Sequence, residues 1–321
     1  GRSPPDAAGQ GRAPDRPWLA RDPGVTDPAP YVAAAGRVLA GRIALFGEPA
    51  LDVGFPPRWN REPKSGFDIP LTFGKTLDYR NPARVGDVKY VWELNRHPQL
   101  VTLAQAWRLT GDARYAEACR TLLDSWIAQC PYPVGINWTS SLEPALRLLN
   151  WSAAWHLLEG ENSPLFAGSE GAAFRARWLA SVWQHCRFVA GYLSRHSSAN
   201  NHLLGELLRL YAGAATWSLW PESERWLRQA HAELEHEALL QNGADGINRE
   251  QAIYYHRSVL EMLLIAGLIS RAGGPEFSPA YWQRLQRMLE VLASVMDAGG
   301  HVPSIGDEDG AIAVTFAPEG I

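Results

Sequence analysis

Residues 198–210 read Ser-Ala-Asn-Asn-His-Leu-Leu-Gly-Glu-Leu-Leu-Arg-Leu, and this stretch decides the fold class. Its leucines recur at the three- and four-residue spacing of an apolar helical face. Serine is a preferred helix N-cap, so Ser198 is expected to cap this helix and to place Asn201 in its first turn. The sequence therefore predicts a long apolar helix that begins with polar side chains.

The same apolar spacing continues through most of the chain. It predicts helices at about 95–109, 112–129, 140–158, 171–194, 199–216, 221–240, 250–272 and 279–298. Short connections between them favour antiparallel helical hairpins. We therefore expect an all-α fold, an (α/α) toroid whose loops surround an open cleft at one end. A repeat solenoid of the tetratricopeptide type is the rival, but its 34-residue period is missing.

The chain before these helices has a different character. Residues 1–29 are rich in Pro, Gly, Arg and Asp and read as a flexible leader or linker, while residues 30–321 form the expected toroid domain. Residues 30–45 predict a first amphipathic helix. Prolines break up residues 46–80, which favours wrapping loops or short edge ribbons. The chain begins with Gly1 and shows no signal-peptide core.

Composition limits the function classes. With 321 residues, 46% of them hydrophobic, and a formal charge of −4, the chain can bury a large core but lacks the basic surface of a general nucleic-acid binder. No apolar run of membrane-spanning length occurs, so no membrane span is predicted. The three cysteines have unrelated spacings, and Cys119 and Cys186 are expected to be buried thiols. Neither a metal nor a cofactor is predicted.

A second helix also begins with polar residues. Asn248, with Gln251 three residues later, has the spacing of a weak capping box, which places Tyr255 in the second helical turn. Helix N-termini carry partial positive charge and favour bound carboxylates. Two such starts, one with Asn201 and one with Tyr255, suit an acidic sugar as ligand.

Five blocks in order resemble the heparinase II/III family. They are Asp87-Val88-Lys89-Tyr90-Val91-Trp92-Glu93-Leu94-Asn95-Arg96, Asn137 to Arg147 (Asn-Trp-Thr-Ser-Ser-Leu-Glu-Pro-Ala-Leu-Arg), Ser198 to His202, Asp245-Gly246 with Glu250-Gln251 and Tyr255-His256, and Ile305-Gly306-Asp307-Glu308-Asp309. The resemblance covers roughly residues 30–310 and is to that family's N-terminal α/α toroid. It implies a polysaccharide lyase that acts on a uronic-acid-containing glycan, in the periplasm or outside the cell.

The resemblance also implies residue roles in β-elimination, which needs a neutralised uronate carboxylate, a base and an acid. Asn201 matches the position whose amide bonds the carboxylate, and His202 is a second candidate as carboxylate partner or base. Tyr255 matches the acid/base tyrosine. A phenol ordinarily has a pKa of about 10, so the base role requires nearby cations. Family members normally carry a C-terminal β-sandwich that adds a histidine to the cleft, and this chain is expected to lack that partner domain.

Further residues are candidates for binding the acidic polysaccharide. Aromatic faces stack on pyranose rings, and charged or amide groups bond hydroxyls and anions. The candidates are Trp92, Glu93, Arg96, Trp138, Asn200, Glu250, Gln251, Tyr254 and His256. Packing is the competing interpretation, and Glu143 and Arg147 are spaced to pair on one helix.

Two other functions remain open. A non-catalytic toroid that binds exopolysaccharide needs the same groove but no acid or base. A glycoside hydrolase needs two carboxylates facing each other, and Glu93, Glu143 and Glu250 offer no selective pair. His301, Asp307 and Asp309 weakly suggest a calcium loop without the spacing of an EF-hand.

Overall fold

The computed structural model describes residues 12–22, 24, 26–46, 48–308 and 313–318. Apart from short 3₁₀ turns, eleven α-helices and one hairpin account for the regular structure in this part of the chain. They are α1 (Ala29–Leu39), β1 (Arg42–Leu45), β2 (Glu48–Asp52), α2 (Pro82–Val85), α3 (Val88–Asn95), α4 (Pro98–Thr110), α5 (Ala113–Gln129), α6 (Leu142–Leu157), α7 (Gly168–Gly191), α8 (Asn201–Thr216), α9 (Pro221–Gln241), α10 (Ile253–Arg271) and α11 (Pro279–Val295).

Eight of these helices form four successive hairpins: α4 with α5, α6 with α7, α8 with α9, and α10 with α11. The first member of each hairpin packs against the first member of the next, and α5 with α7 and α9 with α11 pack outside them. Almost every side chain of α6 and α8 is buried, as an inner layer requires. This two-layer arrangement confirms the predicted all-α toroid.

Aromatic side chains fill the space between the two layers. Trp126, Trp138 and Trp151 are fully buried and surround the imidazole of His185. The guanidinium of Arg147 lies within the same cluster, 4.6 Å from the Trp126 ring. Aromatic rings of this size bury a large apolar area each, and their edge-to-face contacts stabilise the packing further. The core therefore holds the inner helices, and with them the helix ends, in fixed positions.

The first predicted helix is too long at its C-terminal end. Helix α1 stops at Leu39, and Gly41 then adopts a left-handed φ of 71°. Residues Arg42–Leu45 bury Ile43 and Leu45 and expose the residues between them, which is the two-residue period of a strand. This strand pairs antiparallel with Glu48–Asp52, so one short ribbon replaces the end of the expected helix.

The structure corrects both predicted caps. Asn200, not Ser198, caps α8, since its side chain accepts a hydrogen bond from the His202 amide. Asn201 still lies in the first turn, as expected. Helix α10 begins only at Ile253, so Tyr255 lies in its first turn rather than its second. Asn248 instead accepts from the Glu250 amide, within the turn that precedes the helix.

Part of the expected flexible leader packs on the toroid. Trp18 is buried and donates its indole N–H to Ser152 on α6 at 2.8 Å. The same ring meets Phe316 edge-on, at a centroid distance of 6.2 Å. Residues 12–22 therefore differ from the expectation for 1–29, because Trp18 supplies an apolar anchor within the polar sequence. Residues 1–11, 23 and 25 lie outside the described residues.

No helix among the described residues combines the length and the apolar character that crossing a bilayer requires.

Candidate active site

Helices α6, α8 and α10 run in the same direction, because each is followed by an antiparallel outer helix. Their N-termini consequently meet at one end of the toroid. The segments that precede them, which end at Ser141, Asn200 and Ala252, lie at this same end. Most of the predicted site residues belong to these segments and to the first helical turns.

Asn201 is held by a two-point hydrogen bond to Glu250. Its backbone N–H donates to Glu250 Oε1 at 3.0 Å, and its side-chain Nδ2 donates to Oε2 at 2.7 Å. A carboxylate at this position also lies at the positive end of the α8 macrodipole. Glu250 therefore fixes the orientation of the Asn201 amide and joins the start of α8 to the turn before α10.

Tyr255 is positioned by the segment that carries Asp307. The backbone oxygen of Ile305 accepts the Ile253 amide at 3.0 Å, and the Tyr255 hydroxyl donates to Asp307 Oδ2 at 3.4 Å. Gly306 permits this approach, since it has a φ of 81° and an added Cβ would lie 2.6 Å from Ala252. The phenol at the first turn of α10 is therefore a half-buried hydrogen-bond donor at the site.

His202 and Gln251 are exposed, and Asn200 and Tyr254 are partly buried. Tyr254 lies 5.4 Å below the guanidinium of Arg257. Gln251 has a φ of 57°, an unfavourable conformation for a residue with a Cβ, and such positions are common beside functional sites. These four residues surround Asn201 and Tyr255 with accessible polar groups.

His256 is not a substrate-binding candidate in this structure. It is buried, its Nε2 lies 2.9 Å from the Met288 carbonyl, and its Nδ1 accepts the Asn248 amide at 3.4 Å. The helical period explains the difference, because consecutive residues 255 and 256 point about 100° apart on α10. His256 thus ties α10 to α11 while Tyr255 points to the site.

Arg96 joins two carboxylates at the rim. It donates to both oxygens of Glu143, at 3.1 and 3.0 Å, and forms an ion pair with Glu93. Trp92, on the same helix, is half-buried and donates its indole N–H to Ile136 at 3.2 Å. The predicted Glu143–Arg147 pair is wrong as a hydrogen-bonded contact, since Glu143 binds Arg96 and Arg147 donates to His185 and to backbone oxygens.

Trp138 belongs to the core and not to the sugar-binding surface. Its exposed fraction is 0%, and its ring contacts Tyr132, His185 and Phe188. The turn that contains it rests under Gly74, where even a Cβ would meet the Trp138 backbone oxygen at 2.4 Å. The substrate-binding prediction for Trp138 is therefore corrected.

Sequence reasoning missed three charged residues behind the site, of which Glu206 and Arg209 are buried and Glu261 is partly buried. Glu206 is fully buried and accepts from Ser141 Oγ, Ser194 N and Ser194 Oγ at 2.6–2.8 Å. Burial lowers the pKa of Arg209 to about 10, and burial raises the pKa of the Glu261 carboxyl. The signal was present in the sequence: His202, Glu206 and Arg209 follow the i, i+4, i+7 spacing of one polar stripe on a leucine-rich helix.

The suggested calcium loop does not assemble from the residues that can be described. His301 Nδ1 lies 3.1 Å from Asp297, and Asp307 contacts Tyr255. Asp309 lies outside the described residues. Within the described ranges, no group of three or more His, Cys, Asp or Glu side chains could hold a metal ion. Cys119 and Cys186 are buried thiols, as predicted, and so is Cys130, whose pKa burial raises to about 12.

Comparison with known proteins now identifies the family. Residues 58–313 match the family description "Heparinase II/III N-terminus". The chain belongs to the heparinase II/III family. The matched range contains every candidate site residue named above, so the site lies inside the family domain.

Two heparin-sulfate lyases are among the curated relatives of this chain. It is 26% identical over 256 residues to the enzyme of Pedobacter heparinus, an alignment that covers 77% of this chain and 37% of that enzyme. It is 24% identical over 247 residues to that of Bacteroides stercoris, covering 72% of this chain and 36% of that enzyme. The chain thus spans little more than a third of the length of these relatives.

Solved structures of heparinase II/III proteins share the fold. Heparan sulfate lyase HepC from Pedobacter heparinus superposes with a TM-score of 0.65 at 21% identity, over 94% of this chain and 42% of that one. A crystal structure of heparinase III gives a TM-score of 0.66 at 18% identity, over 93% of this chain and 44% of that one. At these identities the likeness establishes the architecture, and the residue roles require separate argument.

Proposed function

We propose that this chain is the toroid part of a polysaccharide lyase that cleaves a uronic-acid-containing glycan by β-elimination. One observation supports it above the others. Asn201 and Tyr255 lie in the first turns of two adjacent inner helices, which begin at the same end of the toroid, and Glu250 links the two helix starts. This arrangement offers a carboxylate-binding amide beside a phenolic proton donor.

Asn201 has the role of neutralising the uronate carboxylate. β-Elimination removes the proton on the carbon next to that carboxylate, and the developing negative charge is delocalised onto the carboxylate oxygens. One Nδ2 hydrogen of Asn201 is bonded to Glu250, and the second hydrogen of the same amide can donate to the substrate. The α8 dipole adds positive potential there without a titrating group.

Tyr255 has the role of general acid. A phenol that donates to Asp307 is in its protonated form, the form needed to protonate a leaving oxygen. In the reaction the carbon–hydrogen bond breaks, its electron pair forms the new carbon–carbon double bond, and the glycosidic oxygen leaves with the bond electrons and takes a proton. His202 is exposed beside Asn201 and is the candidate base, because a neutral imidazole has a nitrogen lone pair that can accept a proton.

The contacts of the carboxylates favour a lyase over a glycoside hydrolase. Glu93 and Glu143 are both bound to the single guanidinium of Arg96, so they lie on one side of the site. Glu250 is engaged with Asn201. A hydrolase needs two carboxyl groups on opposite sides of the glycosidic bond, and none of these three is placed as one of such a pair.

The relatives support the proposed substrate class. The curated relatives are heparin-sulfate lyases, and on this basis we propose a glycan with uronate units as the substrate of this chain. The location that we propose for the reaction, in the periplasm or outside the cell, rests on the family resemblance alone. The exposed polar groups around Asn201 and Tyr255 fit such a polyanion.

The decisive experiment follows the ultraviolet absorbance of unsaturated uronate. The chain is incubated with heparan sulfate, heparin and alginate beside the variants Asn201→Ala and Tyr255→Phe. We expect about 10²–10³-fold lower kcat for Asn201→Ala and 10²–10⁴-fold lower kcat for Tyr255→Phe, the usual cost of losing such groups. Tyr254→Phe is the matched control for the catalytic step, since it removes the hydroxyl of an adjacent residue that is a binding candidate only; we expect it to leave kcat unchanged and to confine any loss to KM.

The products separate the alternatives. New reducing ends without absorbance would establish a hydrolase. Retention of polymer, with measurable binding and no cleavage, would establish an exopolysaccharide-binding toroid. Equal losses in Tyr254→Phe and Tyr255→Phe would contradict the assignment of Tyr255.

A further inference from the structure

Lys75 lies at the same end of the toroid as Asn201. It sits in the short 3₁₀ turn Gly74–Thr76, which rests on the turn that contains Trp138. The Gly74 amide donates to the Pro133 carbonyl at 3.0 Å, and an added side chain at Gly74 would collide with the Trp138 backbone. The position of the Lys75 backbone is therefore fixed by the core.

The Lys75 ammonium is directed by two kinds of contact. It donates to the Thr139 carbonyl at 2.9 Å and lies 4.8 Å from the centroid of the Tyr192 ring. Phe188 lies underneath, 5.8 Å from the ammonium and 4.7 Å from the Tyr192 ring. Tyr192 itself is 44% exposed. A fixed cation thus stands beside an exposed aromatic ring at the edge of the site.

Lys75 forms no ion pair within 4.0 Å with a carboxylate of the described residues. Glu206 is the carboxylate that acts on it electrostatically. The Glu206 oxygens, however, are bonded to Ser141 and Ser194. An ammonium has three N–H donors and Thr139 accepts one of them. The other donors remain available to an anion that approaches from solvent.

The contacts of Glu206 relate Lys75 to the candidate catalytic residues. Glu206 is five residues beyond Asn201 on α8, roughly 7–8 Å along the helix axis. Ser141 and Ser194 connect Glu206 to the segments that carry Thr139 and Tyr192. Lys75 is therefore close to the cleft without contacting Asn201 or Tyr255.

We propose that Lys75 and Tyr192 form an additional sugar subsite, in which the Lys75 ammonium binds a carboxylate or sulfate of the sugar unit next to the one that is cleaved and the Tyr192 ring packs against that sugar. This inference rests on the proposed function and adds a specificity determinant to it. The subsite selects glycans that carry an anionic group on the neighbouring unit.

Calorimetric titration of the intact chain with a heparin-derived tetrasaccharide tests the subsite. Lys75→Met removes the charge and keeps the apolar stem, and we expect about tenfold weaker binding, the usual effect of one charge-assisted hydrogen bond. Tyr192→Ala should weaken binding by a similar factor. Repeating the titration with a desulfated tetrasaccharide distinguishes the ligand group: sulfate recognition predicts that the desulfated sugar is insensitive to Lys75→Met, and carboxylate recognition predicts equal sensitivity.

The chain contains a matched control. Lys64 also lies over a tyrosine ring, 4.7 Å from the centroid of Tyr90, and bonds that tyrosine's hydroxyl at 3.3 Å. Lys64→Met therefore removes an equal charge and an equal cation–π contact away from Glu206, and it should bind like the parent. Thermal melting of each variant verifies the fold.

The outcomes separate this inference from the proposed function. Equal affinities of Lys75→Met and Lys64→Met, with the parent binding the sugar, would overturn the subsite and leave the lyase proposal standing. A parent that neither binds nor cleaves any acidic glycan would contradict both. Selective weakening by Lys75→Met in a folded variant supports the subsite even if cleavage is not observed.

Discussion

At the scale of single residues, the site depends on contacts between groups that are far apart in the sequence. Asn201 and Glu250 are 49 positions apart, and Tyr255 and Asp307 are 52 apart. Each contact fixes a polar side chain at the start of an inner helix, and a backbone hydrogen bond to the same partner segment supports it. The orientation of Asn201 is thus a property of the Glu250 carboxylate as much as of Asn201 itself.

Replacement of Glu250 tests this dependence. Glu250→Ala removes both acceptors, so the Asn201 amide can rotate and the substrate carboxylate is held less accurately. We expect about 10–100-fold lower kcat, since small misplacements of a positioning group have effects of this size. Glu250→Gln keeps one oxygen acceptor and should fall between the parent and Glu250→Ala.

Steady-state rates and melting temperatures, measured on the same samples, make the test specific. A lower melting temperature with an unchanged kcat for the folded fraction would mean that Glu250 only stabilises the start of α8. A fall in kcat at equal KM would mean that it positions Asn201.

At the scale of the elements, most helices were predictable and their ends were less so. The apolar spacing placed α8 at 199–216 against the observed Asn201–Thr216, and α9 at 221–240 against Pro221–Gln241. The predicted first helix ran six residues too far, because Ile43 and Leu45 fit either a helical face or an alternating strand. The position of a long helix is determined by its own apolar spacing. The N-cap depends instead on which nearby side chain reaches the unpaired backbone N–H groups of the first turn.

For a related reason, the sequence could predict the surroundings of the candidate site residues only in part. A motif identifies residues such as Asn201 and Tyr255, but it does not say which neighbours face inward. Trp138 lies in a turn whose neighbouring residues are buried as well, and His256 is buried although the adjacent Arg257 is exposed. Conversely, Lys75 comes to the site through packing between segments that are far apart in the chain, which residue spacing does not encode, whereas Glu206 lies on the polar stripe of α8.

Glycine at position 267 allows α10 and α11 to approach each other. A Cβ there would lie 2.3 Å from the Trp282 ring. Gly267→Ala should therefore lower the free energy of unfolding by about 1–3 kcal/mol, because overpacking outweighs the helix propensity of alanine. Gly36→Ala is the matched control: Gly36 lies within α1 with nothing within 4 Å of an added Cβ, and the change should stabilise by up to about 1 kcal/mol.

Urea unfolding of both glycine variants gives the two free energies. Stabilisation by Gly267→Ala would contradict the packing described here. Destabilisation by Gly36→Ala would mean that α1 is distorted or makes contacts through that face.

At the scale of the whole molecule, the core contains imidazoles that must stay neutral. Burial is the main cause that lowers the pKa values of His97 and His185 well below the usual range and that of His156 to about 4. The Arg147 guanidinium, which donates to His185, lowers that pKa further. Folding therefore disfavours the second proton that would make each of these imidazoles positively charged.

Stability is consequently expected to fall with acidity. An unfolded histidine titrates near pH 6.5 and folded His156 near 4, so its contribution is complete above 6.5 and is lost as the pH falls towards 4. For His156 alone the loss between pH 7 and pH 5 is about 2 kcal/mol. The variant His156→Asn, which does not titrate there, should show a correspondingly flatter pH dependence.

Urea unfolding at pH 7 and pH 5 measures how steeply the free energy of unfolding depends on pH in the parent and in His156→Asn. Parallel slopes for the parent and His156→Asn would contradict a neutral buried His156. The carboxyl groups with lowered pKa values, such as Asp15 and Asp112, lose their contributions only at lower pH and do not obscure this window.

Because most indole rings lie in the core, the intrinsic tryptophan fluorescence of this protein reports unfolding far better than it reports ligand binding. Of the 14 tryptophans, only Trp92, Trp107 and Trp282 are not buried. Unfolding transfers the remaining rings to water and should shift the emission spectrum strongly to longer wavelengths. Trp92 is the one sugar-binding candidate among the rings that are not buried, so a titration with glycan followed by intrinsic fluorescence should show a change that is small against the signal of the buried rings.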